Sequence, residues 1–219
     1  MVTHLRLSGA LPDIVQIGNE TRNGLLYGSG PNESGPERAT RLLSAGLRGV
    51  REGAYPAASP RTMIHVPDSQ DTKFVQRYFQ ALQTHAANVH PTIPLDFDLI
   101  GLSYYPGDPW DRKTGFEPWK RTHLIETMQY VAAVLYKPVM VVETSWPQTG
   151  EPAVMPGTPE FPLTPQGQVQ FYRALLRAVH AVPNGLGVGV VLWGPDMPDR
   201  NSVFDRRGNA LPAVRVLGN

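Results

Sequence analysis

Short apolar runs, mostly β-branched, alternate along this chain with longer segments in which apolar residues recur every three or four positions. The short runs predict strands, and their lack of a polar face indicates burial on both sides. Each run is followed by a loop and then by a segment of helical periodicity. Strands are predicted at Asp13–Gly18, Arg61–Val66, Phe97–Tyr104, Val139–Val142 and Gly187–Leu192.

The helical segments carry recognisable end signals. Thr164 is a suitable cap before Pro165, which fits the first position of a helix that reaches about His180. Asp71 or Ser69 is available to cap the helix after the second strand. The remaining helical segments are predicted at Leu5–Ala10, Arg38–Val50, Leu124–Leu135 and Ala210–Leu217. Gly46 and Gly49 are expected to weaken the second half of the segment Arg38–Val50.

This regular alternation predicts parallel strands joined by right-handed crossovers. Polar and aromatic residues follow several successive strands, and a (β/α)8 barrel brings all such residues to one face. A doubly wound open sheet is the alternative, but its ligand would bind at a switch point rather than at successive strand ends. The predicted fold class is therefore α/β of the TIM-barrel type, as a single domain over residues 1–219.

Charge and composition exclude several kinds of function. The formal net charge is +1, from 20 basic and 19 acidic residues spread along the chain. This distribution predicts neither a nucleic-acid partner nor an anionic membrane surface. Cysteine is absent, which excludes thiolate metal sites and a cysteine nucleophile. No run of apolar residues is long enough to span a membrane, and the first residues contain no apolar core of signal-peptide length.

Two glutamates follow predicted strands: Glu20 ends the first, after Asn19, and Glu143 ends the fourth. Such a pair can cleave a glycosidic bond if one carboxyl is protonated and the other is ionised. Apolar neighbours such as Ile17 are expected to raise the pKa of Glu20, so we assign Glu20 as acid/base and Glu143 as nucleophile. For either glutamate alone, a solvated surface charge is the alternative.

Other polar residues at these strand ends suggest substrate contacts. Asn19 is placed to bind a sugar hydroxyl next to the reacting carbon. Tyr104 or Tyr105 is expected to hydrogen-bond the nucleophile and orient it. His65 ends the second strand, and this position favours a site role over that of a satisfied core histidine.

Two tryptophans complete the candidate site. Trp146 and Trp193 offer flat faces on which a sugar ring can stack, with a core or rim aromatic as the alternative for each.

The histidines lack a paired metal spacing, and the acidic segment around Asp196 and Asp205 lacks the EF-hand pattern. We therefore expect no metal and no cofactor.

The chain resembles the endo-β-1,4-galactanases, glycoside hydrolase family 53, in an ordered set of motifs: PDIVQIGNE, GLLYGSG, MIHV, FDLIGLSYYP, VMVVETSWP and VFDRRGNALPA. The resemblance implies a (β/α)8 barrel and a retaining mechanism on the β-1,4-galactan of type I arabinogalactan. Asn19 and Glu20 match the pair that ends strand four of the family, and Glu143 matches the nucleophile that ends strand seven. Retention would bring the two carboxyl groups within about 5 to 5.5 Å.

The Asn-Glu pair follows three strands in the family but stands at residue 20 here. We therefore expect an N-terminally shortened domain that corresponds to strands four to eight. The resemblance implies an extracellular location, although these first residues contain no leader. The alternative function is a non-catalytic partial barrel that binds glycan weakly or self-associates through open edges at Asp13–Gly18 and Gly187–Leu192.

Overall fold

The computed structural model describes residues 1–23, 25, 36–89, 95–106, 121–150 and 160–217. Strands and helices alternate through these residues, which confirms the predicted α/β class. The chain divides into two compact units, Met1–Leu102 and Ser103–Asn219. Within the described residues, no helix is both long enough and apolar enough to cross a bilayer.

The first unit contains parallel strands covered by helices. Strand β1 pairs with β2, Ile14 standing opposite Arg61, and β2 pairs with β3, Met63 standing opposite Leu99. Because these strands run in the same direction, the residues that follow β1 and β2 meet at one edge of the sheet. The elements are α1 (Val2–Leu7), β1 (Ile14–Ile17), a 3₁₀ turn (Thr21–Asn23), α2 (Pro36–Ala54), β2 (Arg61–Val66), α3 (Thr72–Val89) and β3 (Leu99–Tyr104), which continues into the second unit.

Helix α2 lies closely against β1. The helix continues through Gly46 and Gly49 to Ala54, so the weakening expected from these glycines does not end it. A Cβ atom at Gly46 would lie only 2.7 Å from Cγ2 of Ile17. The missing side chain therefore allows a close helix–strand approach, which compensates for the low helix propensity of glycine.

The second unit repeats the strand–helix order. Strands β4 and β5 pair in parallel, with Val139 opposite Gly187 and a bulge after this pair. Thr164 caps α5 as predicted, because its hydroxyl accepts a hydrogen bond from the Gly167 backbone N–H at 3.0 Å. The elements are α4 (Thr122–Tyr130), a π-helical turn (Val131–Leu135), β4 (Val139–Thr144), α5 (Pro165–His180), a 3₁₀ turn (Pro183–Gly185), β5 (Gly187–Val190) and α6 (Val214–Leu217).

The core of the second unit is an aromatic cluster beneath α5. Phe171 stacks on Trp146, with ring centroids 4.7 Å apart, and on Tyr104, with centroids 6.2 Å apart. All three rings are completely buried. Gln168 on the same helix is also buried and donates from Nε2 to the carbonyl of Trp146 at 2.9 Å. This cluster and hydrogen bond hold the segment that follows β4.

Element boundaries differ from the predictions mainly at strand ends. The predicted bounds of β2 and α5 are confirmed, whereas β1, β3 and β5 are shorter than predicted. The closing helix begins at Val214 rather than Ala210, and α4 changes to π-helical geometry at Val131. At the N-terminus, α1 ends at Leu7, and Gly9 follows with a φ of 68° in the left-handed region. The predicted helix end at Ala10 is therefore too late.

Candidate active site

In the first unit, the chain turns sharply after β1 at Gly18, Asn19 and Glu20. Gly18 has a φ of 77° and Glu20 a φ of 44°. A positive φ is ordinary for glycine but costs a residue with a Cβ about 1–3 kcal/mol. Surrounding contacts must therefore hold Glu20 in this conformation, and such strain is typical of residues at functional sites.

These contacts come from the end of β2 and from α3. The backbone N–H of Glu20 points to Nδ1 of His65 at 3.4 Å. The hydroxyl of Thr21 donates to the backbone carbonyl of His65 at 2.9 Å and lies 2.7 Å from the hydroxyl of Tyr78. Thr21 and Tyr78 are both buried. The turn that carries Glu20 is thus fastened through its backbone and through the residue after it.

His65 and Asn19 lie together, as expected for neighbouring strand ends. Nδ1 of His65 is 3.2 Å from Oδ1 of Asn19. His65 is inaccessible to solvent, while Asn19 is exposed. Burial lowers the pKa of the His65 imidazole to about 4, because the protonated ring would lose its hydration. His65 is therefore neutral at pH values well above 4.

An ion pair that sequence reasoning missed borders the same turn. Arg22 donates to a carboxylate oxygen of Asp68, and its guanidinium lies 5.0 Å above the ring of Phe74. Asp68 also has a positive φ, of 54°. Burial raises the pKa of the Asp68 carboxyl; the charge of Arg22 opposes this shift and that of Glu20 adds to it. Its place two residues after β2, beside Pro67, is a signal that would have found Asp68.

In the second unit, Glu143 lies near the C-terminal end of β4 and is partly buried. The hydroxyl of Tyr105 donates to Oε2 of Glu143 at 3.0 Å. This bond bears out the expectation that a tyrosine after β3 orients the carboxylate. A hydrogen bond donated to the charged form stabilises a carboxylate as an anion.

Trp193 follows β5 and is 54% exposed. Its backbone N–H donates to the carbonyl of Thr144 at 3.0 Å, which places the chain at Trp193 beside the residue after Glu143. An exposed indole at this strand end is compatible with stacking on a sugar ring.

Tyr104 and Trp146 do not have the substrate-binding positions predicted for them. Both side chains have 0% exposure, and both rings pack on Phe171. The indole N–H of Trp146 donates to the carbonyl of Pro162 at 3.2 Å. Neighbouring residues of an extended chain point to opposite faces, so Tyr104 faces the helix layer while Tyr105 reaches Glu143. The prediction of a sugar platform at Trp146 and a site tyrosine at position 104 is therefore wrong.

A cavity of about 450 Å³ also lies in the second unit, lined by Gln148, Arg200, Phe204 and Asp205 among others. The carboxylate of Asp205 accepts hydrogen bonds from the backbone N–H groups of Arg207 and Asn209, both at 2.8 Å. Hydrogen bonds from Asn209 lower the pKa of this exposed carboxyl. Asp205 thus organises its own loop.

Comparison with known proteins identifies the class of the chain. The sequence model of glycosyl hydrolase family 53 matches residues 1–217, and the chain belongs to this family. The predicted resemblance is confirmed, and with it the barrel-type α/β fold. A solved fungal β-1,4-galactanase superposes with a TM-score of 0.83 at 26% identity, over 98% of this chain and 64% of the other. The GH53 catalytic domain of Ignisphaera aggregans superposes with a TM-score of 0.75 at 22% identity, over 99% and 63%.

Curated relatives carry a specific name. The arabinogalactan endo-β-1,4-galactanase of Cellvibrio japonicus is 29% identical over 93% of this chain and 56% of its own length. The probable arabinogalactan endo-β-1,4-galactanase A of Aspergillus terreus is 34% identical over 84% of this chain and 49% of its own length. The chain thus spans about half the length of these relatives.

Proposed function

We propose that this chain carries the catalytic carboxylates of a retaining endo-β-1,4-galactanase, with Glu143 as nucleophile and Glu20 as acid/base. The observation that carries the proposal is the hydrogen bond from Tyr105 to Oε2 of Glu143 at 3.0 Å. A nucleophilic carboxylate has to be ionised and fixed in orientation, and a donated phenol hydrogen favours both. Membership of family 53 and the names of its relatives supply the substrate class.

In the first step, an oxygen of Glu143 attacks the anomeric carbon and forms a glycosyl ester. Because Tyr105 binds Oε2, we assign the attack to Oε1. Glu20 gives its proton to the glycosidic oxygen as the bond between this oxygen and the anomeric carbon breaks. The released sugar leaves with a hydroxyl, and Glu20 becomes a carboxylate.

In the second step, the Glu20 carboxylate removes a proton from water while the water oxygen attacks the anomeric carbon. The ester bond to Glu143 breaks, so the nucleophile returns as a carboxylate and Glu20 is again protonated. Two inversions at one carbon give net retention. The distance of about 5 to 5.5 Å between the carboxyl groups remains a prediction.

The polysaccharide is bound, in this proposal, by Asn19 and Trp193. Asn19 is exposed beside Glu20 and presents an amide to a hydroxyl near the reacting carbon. Trp193 is more than half exposed and provides a stacking face. A polymeric plant substrate is too large to enter a cell intact, which supports an extracellular site of action.

The direct test is release of reducing ends from β-1,4-galactan, with β-1,4-xylan as a second polymer. We expect cleavage of galactan by the chain and none by Glu143→Gln. Glu52→Gln is the matched control, because Glu52 is exposed on α2 and pairs only with the exposed Arg48 among the described residues. Equal product from the chain and from Glu143→Gln would refute the assignment.

Exposed apolar residues near β5 favour a second candidate function. Val188 is 40% exposed and Val191 is 46% exposed. Uncovered apolar side chains at a sheet edge favour association with a second copy. If a non-catalytic, self-associating chain is the correct description, sedimentation will show a concentration-dependent dimer without galactan cleavage; a monomer at all concentrations argues against it.

A further inference from the structure

Arg22 is tied to Glu20 through the main chain. The backbone N–H of Arg22 donates to the carbonyl of Glu20 at 2.7 Å, which closes a tight turn around Thr21. The hydroxyl of Thr21 is itself held by the carbonyl of His65. Because peptide groups are planar and rigid, displacement of Arg22 moves the peptide that follows Glu20. An anchor on the Arg22 side chain is therefore an anchor on the acid/base glutamate.

The Arg22 side chain has two partners on another part of the first unit. Its guanidinium donates to Oδ2 of Asp68 and lies 5.0 Å above the ring of Phe74, which is buried. Arg22 itself is 53% exposed, whereas Asp68 is 28% exposed. An ion pair between fully exposed side chains contributes little, because two mobile chains must be ordered in water. Here a partly buried carboxylate and a buried ring both hold the guanidinium.

Both partners are fixed to the N-terminal end of α3. The carbonyl of Asp68 accepts the backbone N–H of Asp71 at 2.8 Å. The carboxylate of Asp71 accepts the backbone N–H of Phe74 at 2.8 Å, so Asp71 caps the helix. Three charged groups act on the Asp68 carboxyl: Arg22, Glu20 and Asp71. Asp68 therefore lies near Glu20 as well as Arg22, on a backbone that the helix cap holds.

We infer that Arg22 and Asp68 are positioning residues for Glu20: their ion pair anchors the turn after β1 to α3 and so keeps the acid/base glutamate at the glycosidic oxygen. The inference rests on the proposed function for its catalytic consequence, whereas the anchoring is a property of the protein alone. Neither residue of the pair gives or takes a proton in the reaction. Loss of the pair should therefore impair the steps that need proton transfer by Glu20 and spare those that do not.

Two single variants and their combination test the pair. Arg22→Met removes the cation and keeps an unbranched side chain. Asp68→Asn removes the anion, keeps the size of the side chain and suits the left-handed backbone at this position, which Asn adopts readily. Arg41→Met is the matched control, because Arg41 pairs with Glu37 on the exposed surface of α2.

The loss of activity should depend on the leaving group. On galactan we expect kcat/KM to fall about 10- to 100-fold in both single variants and less than about twofold in Arg41→Met, because displacement of a catalytic group by about 1 Å has effects of this size. The double variant should lose no more than about twofold beyond either single variant. On an aryl β-galactobioside with an acidic leaving group, all of these variants should keep kcat/KM within about threefold of the parent chain, since departure needs no proton.

Three kinetic results would overturn the inference. Equal losses on galactan and on the aryl substrate would mean that the pair supports the whole fold. Additive losses in the double variant would mean that the two residues act separately. Opposite shifts of the pH profile of kcat/KM in the two single variants would mean that each residue acts through its own charge, since one variant removes a cation and the other an anion. By contrast, a Glu20→Gln variant without leaving-group dependence would count against the proposed function.

Amide hydrogen exchange tests the anchoring without any activity. The N–H of residue 22 donates to the Glu20 carbonyl, so its exchange, corrected for the intrinsic rate, reports opening of the turn. We expect this exchange to be at least about tenfold faster in Arg22→Met and Asp68→Asn than in the parent chain and the control. The N–H of Asp98, which donates to the Thr62 carbonyl at 2.9 Å in the same unit, should keep its rate and so exclude general unfolding. Unchanged exchange at residue 22 would overturn the inference, whereas faster exchange in a chain that does not cleave galactan would count against the proposed function alone.

Discussion

The two glutamates that we propose as catalytic residues are held in different ways. Glu143 stands on a regular strand, and a neighbouring phenol holds one oxygen of its carboxylate at 3.0 Å. Glu20 stands on a turn with a φ of 44°, and the contacts that fasten this turn reach its backbone nitrogen and the next residue, Thr21. Glu143 is held through its carboxylate, and the contacts described for Glu20 hold its main chain.

This difference matches the two proposed roles. A nucleophile attacks one carbon and leaves it again, so a single side-chain orientation serves both steps. An acid/base gives a proton to one oxygen and takes a proton from another, which requires its main chain to be held near both oxygens. The comparison therefore predicts unequal responses to substitution in the two regions.

The largest expected effect is at Glu143. Glu143→Gln should lower kcat/KM on galactan by at least about 10³-fold, because the amide cannot form the glycosyl ester. Glu20→Gln should lower it by about 10²- to 10⁴-fold, the contribution of general acid–base catalysis. An aryl galactobioside with an acidic leaving group separates the roles of the two glutamates. Ester formation should recover in Glu20→Gln, because this leaving group needs no proton. It should not recover in Glu143→Gln. Recovery in both variants would contradict the assignment of different roles to Glu20 and Glu143.

The next prediction contrasts the buried Trp146 of the core with the exposed Trp193 of the proposed site. Trp146→Ala should lower the free energy of unfolding by about 3–5 kcal/mol, because a fully buried ring is removed from the cluster with Phe171. Trp193→Ala should change stability by less than about 0.5 kcal/mol and raise KM about 10-fold. Denaturant unfolding and steady-state kinetics measure the two quantities. A stable Trp146→Ala with raised KM would reverse this interpretation.

A smaller effect is expected at the tyrosine pair. Tyr105→Phe removes a hydrogen bond to a charged group, worth about 1.5–3 kcal/mol, so kcat/KM should fall about 10- to 100-fold. Tyr104→Phe keeps the ring packed on Phe171 and should change kcat/KM less than about twofold. Equal losses in the two variants would show that the bond to Glu143 does not govern reactivity.

The last prediction concerns pH and is measured on stability rather than on activity. The pKa of His65 is about 4 in the folded chain against 6.5 for the free side chain. The unfolded chain therefore binds a proton first as pH falls, and stability should decrease between pH 6.5 and pH 4, by up to about 3 kcal/mol. His65→Asn should flatten this part of the stability curve in denaturant titrations. An unchanged slope would mean that another group titrates there.

Strand and helix identity could be predicted from periodicity because local pattern and fold agree through most of this chain. The bounds of β2 and α5 depend on local signals, a β-branched run and a Thr-Pro cap, and both are confirmed. The extension of α2 past two glycines depends on the approach of Gly46 to Ile17, a tertiary contact with no local signal. The predicted strand ends are wrong for the same reason, because the pairing partners of a strand decide where it ends.

The candidate site could be predicted in part. Strand-end position located Asn19, His65, Tyr105 and Trp193 at places compatible with a site, but it could not decide which side of the chain Tyr104 and Trp146 face. That choice depends on packing against Phe171, about 25 to 67 residues away along the chain. Asp68 was missed because its role depends on an ion pair with Arg22 in the turn after β1.

Trapping of the glycosyl–enzyme ester tests the assignment of the two glutamates most directly. The chain is incubated with a fluorinated β-galactobioside that has an activated leaving group, digested and analysed by mass spectrometry. The proposal predicts that one peptide gains the mass of the glycosyl unit and that fragmentation places this mass on Glu143. A label on Glu20 or on any other residue, or turnover with inverted anomeric configuration and no labelled peptide, would contradict it.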